Sequence, residues 1–222
     1  MKILFSTGIF ILMCISCGHE QNTPIQQHSD STTTNVSSKV DSTPVGSVIP
    51  DVSAENFSTS YTTLRKQINT KRIRMYQDYL NASTKVEKNR CLDSASHYLH
   101  QVLRENILPY WYGTEWDFNG ITDEPQRGKI ACGYLVSTTL KHSGFVLNRY
   151  KLAQQYSHAI VNTLCSDVKK FTSIGSMLAY IELQPNNLYV VGLDNHVGFI
   201  SKNDMSIKFI HSTFVEAACV ES

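Results

Sequence analysis

The chain has no excess of charge of either sign: 20 Lys and Arg stand against 19 Asp and Glu, a formal net charge of +1. That balance gives no general attraction to polyanions, so nucleic acid is not among the expected partners. Long hydrophobic runs are also scarce. The most apolar stretch, Ile3 to Ile15, is too short to be read as a membrane-spanning helix. Metal ligands at productive spacing are missing: His97 and His100 stand three apart with no cysteine or carboxylate partner placed to complete a set, so neither a metal nor another cofactor is expected. Arg65, Lys66, Lys71, Arg72 and Arg74 cluster without interleaved aromatics, which reads as a solvated helix face rather than a base-stacking surface.

What is present falls into three compositional zones. The first, MKILFSTGIFILMCIS, pairs one lysine with an apolar core and small residues before Cys17, the form of a secretory signal peptide over residues 1–16. From Cys17 to about residue 56 the chain turns to Ser, Thr, Gln, Asn, Asp and Pro, a disordered tether. A coil of that length would span on the order of 30–35 Å. Residues 57–222, with a composition typical of globular proteins, are long enough for one domain, expected as a monomer.

Within that domain the periodicity predicts helices followed by strands. Leu64, Ile68, Ile73, Tyr76 and Leu80 approximate one face of a helix over 57–80. Thr84-Lys85-Val86-Glu87 has the form of a capping box and opens a second helix toward Ile107, which Pro109 should stop. Tyr110, Trp111, Tyr112 and Trp116 follow on a glycine-punctuated loop, with about half of them expected to line a substrate groove. Cys132 then opens an apolar helix ending at Ser143-Gly144. A third amphipathic helix is read over 149–164, its Gln154, Gln155 and His158 able to reach a cleft, and a short one over 173–183. Residues 188–193, 197–200 and 206–210 read as strands, with a tight turn at Lys202-Asn203-Asp204 and a further strand after Phe214.

The arrangement puts a chemical question to Cys132. A thiolate is the reactive form, and a helix N-terminus lowers a thiol pKa by only about one unit, so activation calls for a histidine. His196 opens one predicted strand and His211 closes the next, and in an antiparallel hairpin those ends can meet, His211 then orienting His196.

Pro109-Tyr110-Trp111-Tyr112-Gly113, Cys132 at a helix start, His196-Val197-Gly198-Phe199-Ile200 and Ile210-His211-Ser212 together resemble, in order and type, the NlpC-type cell-wall cysteine peptidases, over roughly residues 105–215. That resemblance implies an α+β, papain-like (circularly rearranged) fold, its nucleophile helix packed on a small antiparallel sheet. It implies a Cys132–His196–His211 triad and a tyrosine (Tyr110) whose hydroxyl lies near the nucleophile, while the loop reading puts Tyr112 and Trp116 beside the substrate. The substrate class implied is an amide of the peptidoglycan stem peptide. Ser16-Cys17-Gly18 further resembles a bacterial lipoprotein cleavage site, with Cys17 acylated and the protein held at a membrane after export, ordinary cleavage being the alternative. Cys91, Cys132, Cys165 and Cys219 would remain, enough for one disulfide beside a reduced nucleophile, Cys165 with Cys219 being one pairing. Ala131-Cys132-Gly133-Tyr134 departs from the family's usual Asp-Cys-Ser-Gly. This leaves a rival expectation, a non-catalytic lipoprotein that binds cell-wall fragments on the same fold.

Overall fold

The computed structural model describes residues 9–13 and 54–222. Cys17 and most of the signal and tether stretches lie outside the described residues. Of the stretch read as an export signal, only Ile9–Met13 is described, as strand β1.

Helix α1 spans Ala54–Asn81. Its inner face is Tyr61 and Ile68, both buried, whereas Ile73, Tyr76 and Leu80 of the expected stripe are about half exposed. The amphipathic pattern therefore extends past the part of the helix that has a core to cover. Helix α2, Lys85–Gln101, starts on the expected capping box. The Glu87 N–H donates to Thr84 Oγ1 (3.2 Å) and the Thr84 N–H donates to Glu87 Oε2 (2.9 Å), satisfying two of the orphan donors of the first turn.

The helical path does not stop before Pro109. It loosens into a π-helical segment, Val102–Ile107, and re-forms as α3, Leu108–Trp111, with Pro109 in its first turn. A proline is tolerated there because first-turn N–H groups have no intrahelical acceptor to lose. The correction has a consequence for the aromatics: Tyr110 and Trp111 are helical, and Trp111 is fully buried rather than on a loop.

Strands β2 (Glu115–Trp116) and β3 (Lys129–Ile130) lead into α4, Cys132–His142. The expected third helix is two, α5 (Arg149–Ala153) and α6 (Ser157–Leu164). The break has a steric partner, because α5 ends where the Ala153 carbonyl presses on Gly133: a Cβ on Gly133 would stand 2.5 Å from that oxygen. Strand β4 (Asp167–Phe171), absent from the sequence reading, precedes α7 (Ile174–Glu182). Strands β5 (Asn187–Leu193), β6 (His196–Lys202), β7 (Ile207–Thr213) and β8 (Ala218–Glu221) form an antiparallel meander.

The sheet order is β3-β2-β8-β7-β6-β5-β1-β4, with β2–β3 as its parallel pair. The fold is thus α+β, with long helices first and the meander last. Strand alternation divides the core. Val197, Phe199 and Ile210 pack with Val136 and Leu140 of α4 and Ile160 of α6, while Ile200, Tyr189 and Val191 pack with Met177 and Ile181 of α7 on the other face. A third cluster joins α1, α3 and α4 through Tyr61, Ile68, Trp111, Ile130 and Leu135. Cys219 belongs to this third cluster and Cys165 packs against the first, so the pair raised as a disulfide is not formed.

Candidate functional site

Cys132 is the first residue of α4, preceded by Ala131 in extended conformation. Two contacts set it against the end of the sheet. The hydroxyl of Ser212 on β7 donates to the Ile130 carbonyl (2.8 Å), holding the strand that leads into the helix. The backbone N–H groups of Val197, Gly133 and Cys132 itself lie close enough to favour its anion, which sets the sulfur beside β6, one residue from His196. These N–H groups favour the anion, but burial dominates and pushes the thiol pKa up. Cys132 is a neutral thiol at rest.

His196 and His211 meet as the sequence suggested. Nε2 of His196 and Nδ1 of His211 are 2.7 Å apart and the rings stand at 77°. Gly198 makes the approach possible, because a Cβ there would lie 2.7 Å from the Ile210 oxygen, 2.8 Å from Phe209 Cε2 and 3.0 Å from His211 Cβ. Phe209 stacks on His211 with 4.3 Å between ring centres and meets His196 edge-on. Burial, and then His211, push His196 down to about 4; burial also lowers His211. Both imidazoles are therefore neutral near pH 7, and one must donate to the other.

The pleat sends His196, with Gly198 and Ile200, to one face of β6, and Cys132 packs on the α4 face with Val197 and Phe199. Sulfur and imidazole thus approach one strand end from its two sides. The hydrogen-bond partner of His196 is His211, and backbone N–H groups flank the sulfur.

The aromatics divide. The Tyr110 hydroxyl bonds Ser60 Oγ on α1 (2.6 Å) and its ring packs on Phe57 and Tyr61, so it belongs to the α1 contact rather than to the thiol. Tyr112 packs against both the α4 cluster and the Trp111 cluster, and its hydroxyl donates to Glu221 (3.4 Å). Trp116 stands next to Phe214, ring centres 5.9 Å apart, where β2 and β8 meet the end of β7 beyond His211. Phe214 is exposed, giving that end an apolar rim with Trp116.

Two residues that sequence reasoning passed over hold the nucleophile's frame. Arg149, 3% exposed, donates to the carbonyls of Ile121 and Thr122 and to the Thr138 hydroxyl, and lies over the rings of Tyr134 and Tyr150. It ties the loop before Cys132 to α4. Its position on a short amphipathic helix gave no hint of burial. The second is Tyr61. Trp111 Nε1–H donates to the Tyr61 oxygen (2.9 Å), so the single Tyr61 proton goes to His142 Nδ1 (2.8 Å). That fixes His142 as the Nε2–H tautomer, and burial, with Arg65 and Arg149 nearby, lowers its pKa to about 3. Gln154 reaches Tyr134 OH (3.2 Å) rather than an open cleft.

Among the described residues no three His, Cys, Asp or Glu side chains converge as metal ligands, and no helix is long and apolar enough to cross a membrane. No family model, curated protein or solved structure matches the chain.

Proposed function

We propose that this protein is an exported cysteine hydrolase of papain-like type that cleaves an amide bond, with peptidoglycan stem peptides as its substrate class. The reading rests on the His196–His211 hydrogen bond at the strand end against which the Cys132 thiol is held. Its further support is the resemblance of the Cys132, His196-Val197-Gly198 and Ile210-His211-Ser212 segments to NlpC-type peptidases.

The chemistry follows from the tautomers. With His196 Nε2–H donating to His211 Nδ1, the lone pair of His196 Nδ1 is free to take the thiol proton. As Sγ bonds to the carbonyl carbon, that proton passes to Nδ1, and the bond to His211 becomes charge-assisted. The imidazolium then protonates the departing amine, and water, deprotonated by the same nitrogen, releases the acid. The N–H at the start of α4 would hold the developing oxyanion.

The resting site opposes this transfer. A thiol pushed up and an imidazole pushed down to about 4 favour the neutral pair by on the order of several kcal/mol. On this reading turnover requires the thiol and the His196 ring to turn toward each other as substrate binds. The same observation favours a second reading: a non-catalytic module that binds wall fragments at the Trp116–Phe214 rim, with Cys132 structural.

Incubation of purified peptidoglycan with wild type and Cys132→Ala, followed by mass spectrometry of released fragments, separates the two. The hydrolase gives stem-peptide products that the variant does not; identical profiles with retained wall binding establish the module instead. Export as a lipoprotein anchored through Cys17 completes the proposal, placing the domain where that substrate is found.

A further inference from the structure

Helix α1 changes character along its length. Tyr61 and Ile68 face the core, whereas beyond them Ile73, Tyr76 and Leu80 recur at spacings of three and four and stand about half exposed on one stripe. The loop after α4 adds to the same surface. Arg72 lays its side chain across Gly144, where a Cβ would stand 2.7 Å from Arg72 Cδ, and the next two residues, Phe145 and Val146, are both exposed, Val146 almost entirely. Scattered singly, such side chains need no explanation, but five gathered along a helix and its adjoining loop form a patch. Cations flank it: Arg65, Lys66, Arg72 and Arg74, with Asp78 the only acidic residue from Arg65 to the end of α1. None of these four is in an ion pair among the described residues. The chain as a whole is close to neutral, so positive charge is concentrated on this helix.

We propose that this face docks the folded domain on an anionic lipid surface, its apolar side chains entering the boundary below the headgroups and its flanking cations meeting the headgroup phosphates. A helix with an apolar stripe bordered by Lys and Arg lies in the plane of such an interface, held by apolar burial and charge attraction together. Position and charge select this occupant. The stripe runs along the outer side of α1, apart from the groove that Lys71 and Met75 line toward α2, so it offers no slot to an extended peptide. A second copy of the same face would bring Arg65, Lys66 and Arg72 against their own equivalents. A nucleic acid would leave Ile73, Leu80 and Val146 with only phosphate and sugar to meet. The docking rests neither on chemistry at Cys132 nor on acylation of Cys17. It lays α1 along the membrane instead of leaving the domain free at the end of a tether.

The test puts an indole at the centre of the stripe. Tyr76→Trp in the full chain is mixed with vesicles of phosphatidylcholine brominated along its acyl chains, with and without phosphatidylglycerol, and its fluorescence is compared with that of the wild type, whose Trp111 and Trp116 set the background. Bromine quenches on contact within the apolar layer, so attachment of the chain through its N-terminal residues does not by itself produce the signal. Quenching of the introduced indole about threefold stronger with phosphatidylglycerol present, and lost in about 0.5 M salt, is expected. In the same background Arg65→Glu with Lys66→Glu, and separately Ile73→Ser with Val146→Ser, should each weaken vesicle affinity about tenfold. All four positions are exposed, and circular dichroism checks that both pairs fold. Equal quenching with and without phosphatidylglycerol overturns the proposal, as does its absence with both vesicles or its persistence in both variant pairs. A concentration-dependent dimer that shields the indole without vesicles also overturns it and assigns the face to a second copy of the chain.

Discussion

Nε2 of His196 and Nδ1 of His211 share one hydrogen bond, 2.7 Å long, across the β6–β7 hairpin, and that bond leaves a single nitrogen of His196 to do chemistry. Under the proposed function the two rings have unequal duties. His196→Ala should abolish turnover of peptidoglycan, a loss of about 10³-fold or more, whereas His211→Ala should retain measurable activity because its ring only orients and stabilises the first. Steady-state rates on a defined stem-peptide substrate check this, and near-wild-type rates for both variants would refute the assignment.

Gly198 is the steric condition for that pair. Gly198→Ala places a methyl group 2.7 Å from the Ile210 carbonyl oxygen and 3.0 Å from His211 Cβ, so β7 must shift. A destabilisation of about 1–3 kcal/mol is expected in urea unfolding, together with altered NMR signals of both histidines. Wild-type stability and unchanged imidazole signals would show that the hairpin is looser than described.

Buried neutral histidines make stability depend on pH in a definite direction. His196 titrates at about 4 in the folded protein and near 6.5 when unfolded, so the unfolded chain takes up the proton first on acidification. Its contribution is fully present above about pH 6.5, falls as pH drops toward 4, and amounts to on the order of 3 kcal/mol. His142, held down to about 3, extends the decline to lower pH. Urea midpoints measured from pH 7.5 to 4 should fall continuously, with a shallower slope in His196→Gln; a flat profile would mean these rings are solvated.

Tyr61→Phe tests the chain from α3 through α1 to α4. The substitution strands the Trp111 Nε1–H and the His142 Nδ1 lone pair together, both in the interior. A cost of about 2–4 kcal/mol follows if each stranded group contributes its desolvation penalty. Equilibrium unfolding measures it, and a change below about 0.5 kcal/mol would mean that water replaces the hydroxyl.

Export supplies a prediction about the mature chain. If Cys17 is the acylated first residue, the protein recovered from membranes has the mass of residues 17–222 plus lipid, and strand β1, Ile9–Met13, is absent from it. Its neighbours β5 and β4, which both pair with β1, then lose a shared partner. Intact mass spectrometry of the native protein decides; a chain that retains residues 1–16 rules out the lipoprotein reading.

Local chemistry was legible without coordinates. Thr84 and Glu87 announce α2 because a capping box is complete within four residues, and Cys132 and Gly144 bracket α4 because helix ends have their own side-chain and φ requirements, Gly144 lying at φ +112°. The strands from Asn187 to Thr213 and the approach of His196 to His211 follow from alternation and a short turn, both short-range properties. Long-range packing decided the rest. Pro109 stays inside a helical path because a π-helical segment changes register before it, Trp111 is buried because α1 lies over it, and Arg149 is interior because the loop at Ile121 and Thr122 brings carbonyls to it. Only the tertiary structure could decide that burial outweighs the backbone N–H groups at the sulfur and pushes the thiol up. A side chain's protonation and aim depend on groups dozens of residues away, and no local pattern in the chain encodes them.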